Sequence, residues 1–322
     1  MDIEMLRERA AIIKKVRNFF DQRGYLELDT PLLSPDLIPE SCLEVFETEK
    51  IFPKGSRKEN QKLYLVPSPE IKMKKIIARH KVDVFQICKC FRNGEQCGHL
   101  HSSEFTMLEY YTMNADYKDS LALTAELLKF LFGEQSQTKE KEEFFFEIIT
   151  VADAFLKFAK FDLFKAAAEG ADAMAAEARR LGLEPMQGMT VQQLYDLIFI
   201  HAVEPCLKGV KPIALIDYPA FVPCLALKKT SGDTVERWEL YYNGIELANC
   251  YSEESDPRKV KEFFINEEKE KERYANIKHN VDHNYHKIFE KGFPKCSGVA
   301  MGLDRLIMAI TGRSNIETVC CE

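Results

Sequence analysis

The sequence predicts an α+β fold in which helices flank an antiparallel sheet. Three features support this prediction. Apolar residues recur at helical spacing over residues 6–20, alternating residues over 84–111 predict a β-hairpin, and Asn243-Gly244 separates two more alternating runs. Asn-Gly is typical of a two-residue hairpin turn, because both central residues of that turn need positive φ angles.

Length and composition narrow the class of protein. The chain of 322 residues, 46% of them hydrophobic, can bury a sizeable core. Its net charge of −7 disfavours broad nucleic-acid binding, which needs a basic face. No apolar run approaches the roughly 20 residues that span a bilayer, and the N-terminus lacks a signal-peptide pattern. We therefore expect a cytoplasmic protein without a membrane partner, whose ten cysteines are reduced.

The sequence of the N-terminal quarter predicts two helices. A strand follows the first helix, and a short apolar run precedes the second. The first helix should bury one apolar stripe, made of Leu6, Ala10, Ile13, Val16 and Phe20. Gly24 should end this helix, and 25–29 should form a strand. Leu63–Val66 is a second short apolar run. After it, Ser68 is the expected N-cap of the next helix, with Pro69 as the first helical residue and Glu70 near the positive helix end.

The predicted hairpin over 84–111 presents a polar sheet face. Its first strand places five residues on this face: Val84, Gln86, Cys88, Cys90 and Arg92. The second strand places four there: Phe105, Met107, Glu109 and Tyr111. An arginine, a phenylalanine and a glutamate on one face suit an anion, a flat ring and an amine. A zinc site is the alternative, with ligands from Cys88, Cys90, Cys97, His99 and His101, although their spacing is not that of paired zinc ligands.

The turn at Asn243-Gly244 predicts a second hairpin with an acidic face. In the expected register Tyr241 opposes Glu246 and Glu239 opposes Ala248, so the two glutamates are diagonal neighbours. Two such carboxylates repel each other unless a cation or a proton lies between them. Mg²⁺ carried by ATP fits this pair. The alternative is a solvated polar sheet face.

The middle of the chain is predicted to be mainly helical. Residues 135–143 are polar and should form a loop. Thr150 and Asp153 have capping-box spacing, and the alanine-rich run to about Leu181 should be a helical insertion at the surface. Another helix is expected over 190–202. Asp256-Pro257 should start a charged helix whose run EEKEKER, at 267–273, is expected to be solvated.

Near the C-terminus a small-residue strand is expected to lead into a helix. Gly298 to Gly302 form the strand, and Gly312 should end the helix. Arg305 falls in the first helical turn, where a cation opposes the helix dipole. A functional reason for this arginine is therefore more plausible than a structural one.

Three stretches together resemble motifs 2 and 3 of the class II aminoacyl-tRNA synthetases, and specifically the lysyl branch: 84–111, 237–253 and 296–312. The N-terminal helix and strand resemble motif 1, which builds the dimer interface. The resemblance covers nearly the whole chain and implies a class II catalytic domain over 1–322 that forms a homodimer. It leaves no room before motif 1 for the anticodon-binding domain of lysyl-tRNA synthetases.

The resemblance implies an ATP site around two catalytic arginines. Arg92 would hold the α-phosphate of ATP and the carboxylate of the amino acid, and Phe105 would stack on adenine. Arg305 would stack on adenine and reach the γ-phosphate, while Gly302 lets ATP approach the backbone. Glu239 and Glu246 would bind Mg²⁺. The implied ATP contacts also include Asn93, Glu95, Glu246 and Leu247, although Gly94 stands where relatives have the glutamate, and Glu95 is one residue later.

The resemblance also implies an amino-acid site. Ser68, Pro69 and Glu70 would contribute to it, with Glu70 holding the α-amino group. The side-chain amine would face three residues: Glu109, Tyr111 and Glu253. Ser102, which stands where relatives commonly have asparagine, and Ala300 complete this set.

Ala300 separates two kinds of relative. Lysyl-tRNA synthetases usually have glycine there, whereas their short paralogues that attach β-lysine to translation elongation factor P usually have alanine. The closer resemblance is to these paralogues. It implies that ATP and (R)-β-lysine form an aminoacyl-adenylate, whose aminoacyl group passes to the ε-amine of a lysine on elongation factor P. The alternatives are a minimal lysyl-tRNA synthetase-like enzyme that activates lysine, with tRNA disfavoured as acceptor by the acidic charge, and a non-catalytic paralogue that binds an adenylate or amino acid.

Overall fold

The computed structural model describes residues 3–94, 98–133, 147–209, 211–230 and 232–320. Its strands are β1 (Leu26–Glu27), β2 (Leu33–Ser34), β3 (Glu47–Lys50), β4 (Gln61–Leu65), β5 (Val84–Phe91), β6 (Glu104–Met113), β7 (Glu147–Thr150), β8 (Ile213–Pro219), β9 (Thr234–Tyr242), β10 (Ile245–Ser252) and β11 (Cys296–Gly302). The predicted loop at 135–143 lies outside the described residues.

Eight of the described strands form one large sheet in the order β1-β5-β6-β11-β10-β9-β8-β7. Its neighbours are antiparallel except for two parallel pairs, β1 with β5 and β7 with β8. The other strands form a small sheet in the order β2-β4-β3. The predicted sheet, antiparallel for the most part and flanked by helices, is confirmed.

The helices follow the predicted caps and stops closely. They are α1 (Ile3–Asp21), α2 (Glu70–His80), α3 (Tyr117–Phe132), α4 (Val151–Ala154), α5 (Leu163–Glu169), α6 (Ala171–Arg180), α7 (Val191–Ile198), α8 (Pro257–Tyr274) and α9 (Leu303–Thr311). Asp256 caps α8, and Gly312 ends α9 with a φ of +67°. A π-helical segment follows α4 (Phe155–Ala159) and another follows α7 (Phe199–Val203). No helix of the described residues is long and apolar enough to cross a membrane.

Two details of the N-terminal quarter differ from the prediction. The buried stripe of α1 is rotated: Met5, Ile12 and Phe19 are buried, whereas Leu6 and Ala10 are exposed. The helix turns this way because its Arg9 is itself buried in an ion pair, described below. The N-cap of α2 is Pro69, so Glu70 is the first helical residue and the predicted cap at Ser68 is wrong.

The large sheet has one closed face and one face that holds the site. On the closed face α1, α3 and α9 pack against the sheet through the main hydrophobic core, which includes Phe20, Leu108, Trp238 and Leu306. On the other face α2 and α8 form a core at one end and the helices α4 to α7 form a core at the other end. A cleft is left between these two groups of helices.

The helices after β7 are more than a surface insertion. Their buried residues, including Leu163, Met174 and Leu194, share a core with Leu215 and Tyr241 of the sheet. The side chains of this second core pack on the same sheet face as the site. The predicted insertion is therefore helical, as expected, but it forms one wall of the cleft.

The charged run of α8 was predicted to be solvated, but part of it is buried. Lys271 is buried, and its Nζ donates to the backbone oxygens of Glu40, at 2.9 Å, and of Leu43. Glu267 accepts a hydrogen bond of 2.9 Å from the backbone N–H of Ser41. The run therefore holds the 37–44 loop, which connects β2 to β3, against α8.

Candidate active site

A cavity of about 700 Å³ fills the cleft. Its floor is the open face of the large sheet. Its walls come from the 37–44 loop, α8, the segment 100–102 before β6 and the helical region from α7 to Glu204. The predicted site residues on its surface are Glu70, Arg92, Ser102, Phe105, Glu239, Glu246, Leu247, Ala300, Gly302 and Arg305.

The hairpin of β5 and β6 builds the centre of the floor. Its register pairs Gln86 with Glu109, Cys88 with Met107 and Cys90 with Phe105. Directly opposed residues share a sheet face, so the two polar faces predicted for these strands are one face. This alignment brings Arg92 beside Phe105, with the guanidinium carbon 5.3 Å from the ring centroid.

Arg92 has an unsatisfied guanidinium at the centre of the cavity. Its Nε is buried and has no hydrogen-bond partner among the described residues. A buried donor without a partner costs free energy, and Arg donors match carboxylate and phosphate oxygens. The geometry therefore suits an anionic ligand at Arg92.

One end of the cavity holds a buried cluster of charges that we call the amine end: Glu70, Lys74, Glu109, Tyr111 and Glu253. Lys74, on α2, is fully buried and lies 2.5 Å from Glu70 Oε1 and 2.6 Å from Glu253 Oε2. Burial alone would lower the pKa of Lys74, but Glu253 and Glu70 hold it well above its ordinary value. Burial raises the pKa of Glu253 to about 7, against the effect of Lys74.

Glu109 is the carboxylate of the amine end without a cation of its own. Its Oε1 accepts a hydrogen bond of 2.7 Å from the Tyr111 hydroxyl, whereas Oε2 is buried without a partner among the described residues. Burial raises the pKa of Glu109 well above its usual range, and nearby Glu70 adds to the shift. Glu109, Tyr111 and Glu253 lie beneath the surface of the cavity, and Glu109 is directly opposite Ala300 on β11.

Gly298 makes room for the amine end. A Cβ at this position would lie 2.4 Å from a ring carbon of Tyr111 and 2.5 Å from Glu253 Oε1. Real side chains do not approach so closely, so glycine is required where these two groups meet.

The acidic hairpin of β9 and β10 differs from the predicted register. Tyr241 pairs with Glu246 as expected, but a bulge follows, and Glu239 opposes Asn249 instead of Ala248. The bulge leaves both glutamates on the cavity surface. The prediction was therefore right about the shared face and wrong about the pairing of Glu239.

Glu239 has a basic neighbour that was not predicted. Its Oε1 accepts a hydrogen bond of 2.5 Å from Arg237, and its Oε2 accepts from the hydroxyls of Tyr218, at 2.5 Å, and Tyr241, at 2.7 Å. Arg237 also donates to Asn249 Oδ1. These donors hold the carboxylate rigidly at the cavity surface.

Glu246 is the freer carboxylate of the pair. Its Oε2 is 3.9 Å from Arg305 Nη1. Burial raises the pKa of Glu246 to about 7, and the negative charge of Glu239 contributes next. A cation would relieve this repulsion, so the pair fits a magnesium ion that accompanies ATP. Within the described residues no group of three or more His, Cys, Asp or Glu side chains could hold a metal by itself.

Arg305 joins three elements at the phosphate side of the cavity. It starts on α9 and donates to the backbone oxygens of Leu100, at 3.2 Å, and Glu246, at 2.9 Å. Its neighbour Asp304 is buried and accepts from Arg9 of α1 and from the backbone N–H of Thr106, both at 2.6 Å. Asp304 thus fixes the start of α9 relative to α1, through Arg9, and relative to β6, through Thr106.

Three further predicted site residues, outside the amine end, do not line the cavity. Ser68 lines a separate small pocket, and Pro69 lines neither. The Asn93 amide donates to Val45 O and accepts from Gly94 N–H, so it serves the loop. The backbone at Gly94 has a φ of +65°, a conformation that favours glycine.

Glu95 and Cys97 lie outside the described residues. Two of the ligands suggested for the zinc site lie close together: the Sγ atoms of Cys88 and Cys90 are 3.9 Å apart.

Sequence reasoning missed several residues of the site. None of three residues was singled out in the sequence: Lys74, Arg237 and Glu40. In the structure each of them is next to a predicted carboxylate or arginine. Only Arg237 carried a signal, since it precedes Glu239 by two residues and must share its sheet face.

A family model for class II tRNA synthetases (D, K and N) matches residues 3–321. The chain therefore belongs to the class II tRNA synthetase family, whose members are ligases that use ATP.

Three similar proteins match over 318 residues, which is 98% of this chain and 94% of each relative. The elongation factor P–(R)-β-lysine ligase of Avibacterium paragallinarum is 34% identical. The ligases of the same name from Histophilus somni (strain 2336) and Proteus mirabilis (strain HI4320) are 33% and 31% identical.

Proposed function

We propose that the chain activates (R)-β-lysine with ATP and transfers the aminoacyl group to the ε-amine of a lysine on elongation factor P. The observation that carries this proposal is the charge of the amine end. Three carboxylates, from Glu70, Glu109 and Glu253, face one buried ammonium, that of Lys74. Two carboxylates are left without a cation, and the two ammonium groups of a diamino acid would balance their charge. The names of the similar proteins specify β-lysine and elongation factor P.

The first step needs orientation rather than a protein nucleophile. The carboxylate of the amino acid attacks the α-phosphorus of ATP, and pyrophosphate leaves. Two anions must approach each other, and the unsatisfied Arg92 guanidinium lies where it can contact both. Phe105 and Arg305 would hold the adenine between them. Glu239 and Glu246 would hold Mg²⁺, which offsets charge on the phosphates when it is bound.

Ala300 supports β-lysine over α-lysine. It lies on the cavity surface, directly opposite Glu109 on one side and Asn249 on the other. Its methyl group therefore narrows the cavity above the amine end. We infer that this methyl group favours the substrate whose amine is one carbon further from the carboxylate.

We also propose that the protein is a homodimer of the cytoplasm. The outward face of α1 exposes Ile3 and Leu6, and the adjoining β1 exposes Leu26. Such a surface suits a second copy of the chain. No disulfide joins the described cysteines, which suits a reducing compartment. Light scattering should give twice the chain mass, and Leu6→Glu should reduce it to one chain, whereas Leu156→Glu, at another exposed leucine that lies in the insertion, should not.

Mass spectrometry of elongation factor P after incubation with the enzyme, ATP and each lysine isomer tests the reaction. We expect one added β-lysyl group with (R)-β-lysine and little with α-lysine. Charging of tRNA alone would favour the synthetase alternative. Absence of ATP–pyrophosphate exchange with every amino acid tested would favour a non-catalytic binding protein.

A further inference from the structure

Glu40 is a carboxylate at the cavity surface that the proposed activation step does not use. It lies on the 37–44 loop and lines the cavity together with Glu70 and Arg92. Within the described part of the chain its carboxylate takes part in no hydrogen bond and no ion pair. Its charge interacts with that of Arg92, the residue that would hold the carboxylate and the phosphate.

The backbone of Glu40 is held firmly although its side chain is free. Buried Lys271 donates to Glu40 O, and the next residue, Ser41, donates its N–H to Glu267 of α8. At the end of the loop, Glu44 accepts from the backbone N–H groups of Asn276 and Ile277. A free carboxylate on a fixed backbone is a suitable arrangement for a group that exchanges protons with a ligand.

The other carboxylates at this end of the cavity are engaged. Glu70 pairs with Lys74, Glu267 accepts from Ser41, and Asp304 pairs with Arg9. They are therefore poor candidates for proton transfer to a ligand. Among the described residues, this leaves three cavity carboxylates without such a partner: Glu40, and two that belong to the insertion.

Asp196 and Glu204 are the free carboxylates of the insertion wall, and they face the other side of the cavity. Asp196 interacts electrostatically with Arg237, and Glu204 interacts electrostatically with Glu239 and Arg305. The carboxylate of Glu40 instead interacts electrostatically with Glu70 and Arg92. The reacting acyl carbon should lie beside Arg92, and Glu40 is the carboxylate of these three whose charged neighbours include Arg92.

Transfer of an aminoacyl group to a lysine requires a proton acceptor. A lysine side chain enters as an ammonium ion at neutral pH, and an ammonium nitrogen has no electron pair for attack. The residues that hold the adenylate supply positive charge and hydrogen bonds, but no base.

We propose that Glu40 accepts the proton of the incoming lysine ammonium as the aminoacyl group is transferred; this inference rests on the proposed function. The neutral amine then attacks the acyl carbon, the C–N bond forms, and the C–O bond to the phosphate breaks. AMP leaves with the electron pair of that bond. The second proton of the amide nitrogen passes to water, and Glu40 releases its proton to solvent.

The surroundings of Glu40 suit this role. Burial raises the pKa of Glu40 to about 7, and Glu70 and Glu267 act in the same direction, while Arg92 and Lys271 act against it. Two further titratable neighbours are the thiol of Cys42 and the hydroxyl of Tyr251. Burial raises the pKa of Cys42 to about 11 and the pKa of Tyr251 well above its ordinary value, so both stay neutral. A base with a pKa near the working pH is efficient in proton transfer.

Glu40→Gln tests the assignment, because the two steps can be measured separately. ATP–pyrophosphate exchange with (R)-β-lysine reports activation, and β-lysyl incorporation into elongation factor P reports transfer. We expect the ratio of transfer to exchange to fall about 10²- to 10⁴-fold in Glu40→Gln, with partial recovery in Glu40→Asp. The wild-type ratio should rise with pH and level off above about 7. The ratio of the variant should keep rising above pH 7, because it depends on the small fraction of lysine that is already neutral.

Hydroxylamine and Asp196→Asn provide matched controls. Hydroxylamine is already neutral at pH 7, so its capture of the aminoacyl group should be similar in the wild type and in Glu40→Gln. Equal losses of exchange and transfer in Glu40→Gln, or a transfer-specific loss in Asp196→Asn instead, would overturn the assignment. Absence of exchange in the wild type would instead refute the proposed function itself.

Discussion

The two ends of the cavity have opposite charge balances. At the amine end three carboxylates share the single ammonium of Lys74. At the phosphate end each glutamate has an arginine: Arg237 is 2.5 Å from Glu239 and Arg305 is 3.9 Å from Glu246. Arg92, between the two ends, makes no ion pair with a described residue. We therefore expect the cavity to bind a ligand that is cationic at one end and anionic at the other.

The difference also shows how the protein tolerates buried charge. Taking an unpaired charge out of water is costly, and proteins offset the cost with partners or with protons. The phosphate end uses paired arginines. The amine end keeps an excess of carboxylates, and burial raises the pKa values of Glu109 and Glu253. We expect the diamino acid to complete the balance. The following changes should break or sharpen this contrast.

Lys74→Met should have the largest effect. It removes the cation of the amine end and leaves buried carboxylates unpaired, which we expect to lower the free energy of unfolding by about 3–5 kcal/mol. Urea denaturation measures this change. Lys75→Met is the matched control, because Lys75 is the next residue of α2 and pairs with Asp282 near the surface. The control should lose no more than about 1 kcal/mol, and equal losses would contradict the proposed role of Lys74.

Arg92→Met should come next in size. The rate of ATP–pyrophosphate exchange should fall about 10²- to 10³-fold, the usual loss when a donor to a developing negative charge is removed. Arg79→Met, at an exposed arginine of α2, should keep the wild-type rate. Exchange that survives in Arg92→Met would show that the unsatisfied guanidinium does not contact the reacting groups.

Ala300→Gly should shift selectivity by a smaller amount. Removing one methyl group changes discrimination between substrates by about 1–3 kcal/mol. We expect α-lysine to gain relative to β-lysine in the ratio of kcat/KM values for exchange. An unchanged ratio would mean that this position does not set the selectivity.

Glu246→Gln should have the smallest effect on stability and a specific effect on magnesium. A carboxyl group whose pKa is raised from its ordinary value to about 7 makes the fold less stable as pH rises between about 4.5 and 7. The variant should lose part of this pH dependence, and only a modest part, because solvent reaches the side chain. Thermal unfolding from pH 5 to 8 measures it. ATP–pyrophosphate exchange in the variant should also require more Mg²⁺, and a wild-type requirement would remove Glu246 from the metal role.

The two hairpins show what could be predicted from the sequence. The register of β5 and β6 follows from uninterrupted alternation, and it brought Arg92, Phe105 and Glu109 to one face as predicted. The β9–β10 pairing was right at the turn and wrong beyond Glu246, because the bulge leaves no signal in the residue pattern. Periodicity thus identifies the face of a strand more reliably than its partner.

Buried charges account for most of the other differences. Arg9, Lys74 and Lys271 are all buried, yet periodic patterns place charged residues in solvent. Each is buried because a partner distant in the chain meets it: Asp304 for Arg9, Glu253 for Lys74, and the 40–43 loop for Lys271. Only the tertiary structure brings these partners together.

A crystal structure with a non-hydrolysable β-lysyl-adenylate analogue is the most direct test of the opposed ends. The account predicts an ammonium group within hydrogen-bond distance of Glu109 or Glu253, and a phosphate oxygen in contact with Arg92. An analogue bound in the reverse direction, or one that leaves Arg92 and the three carboxylates without contacts, would contradict it.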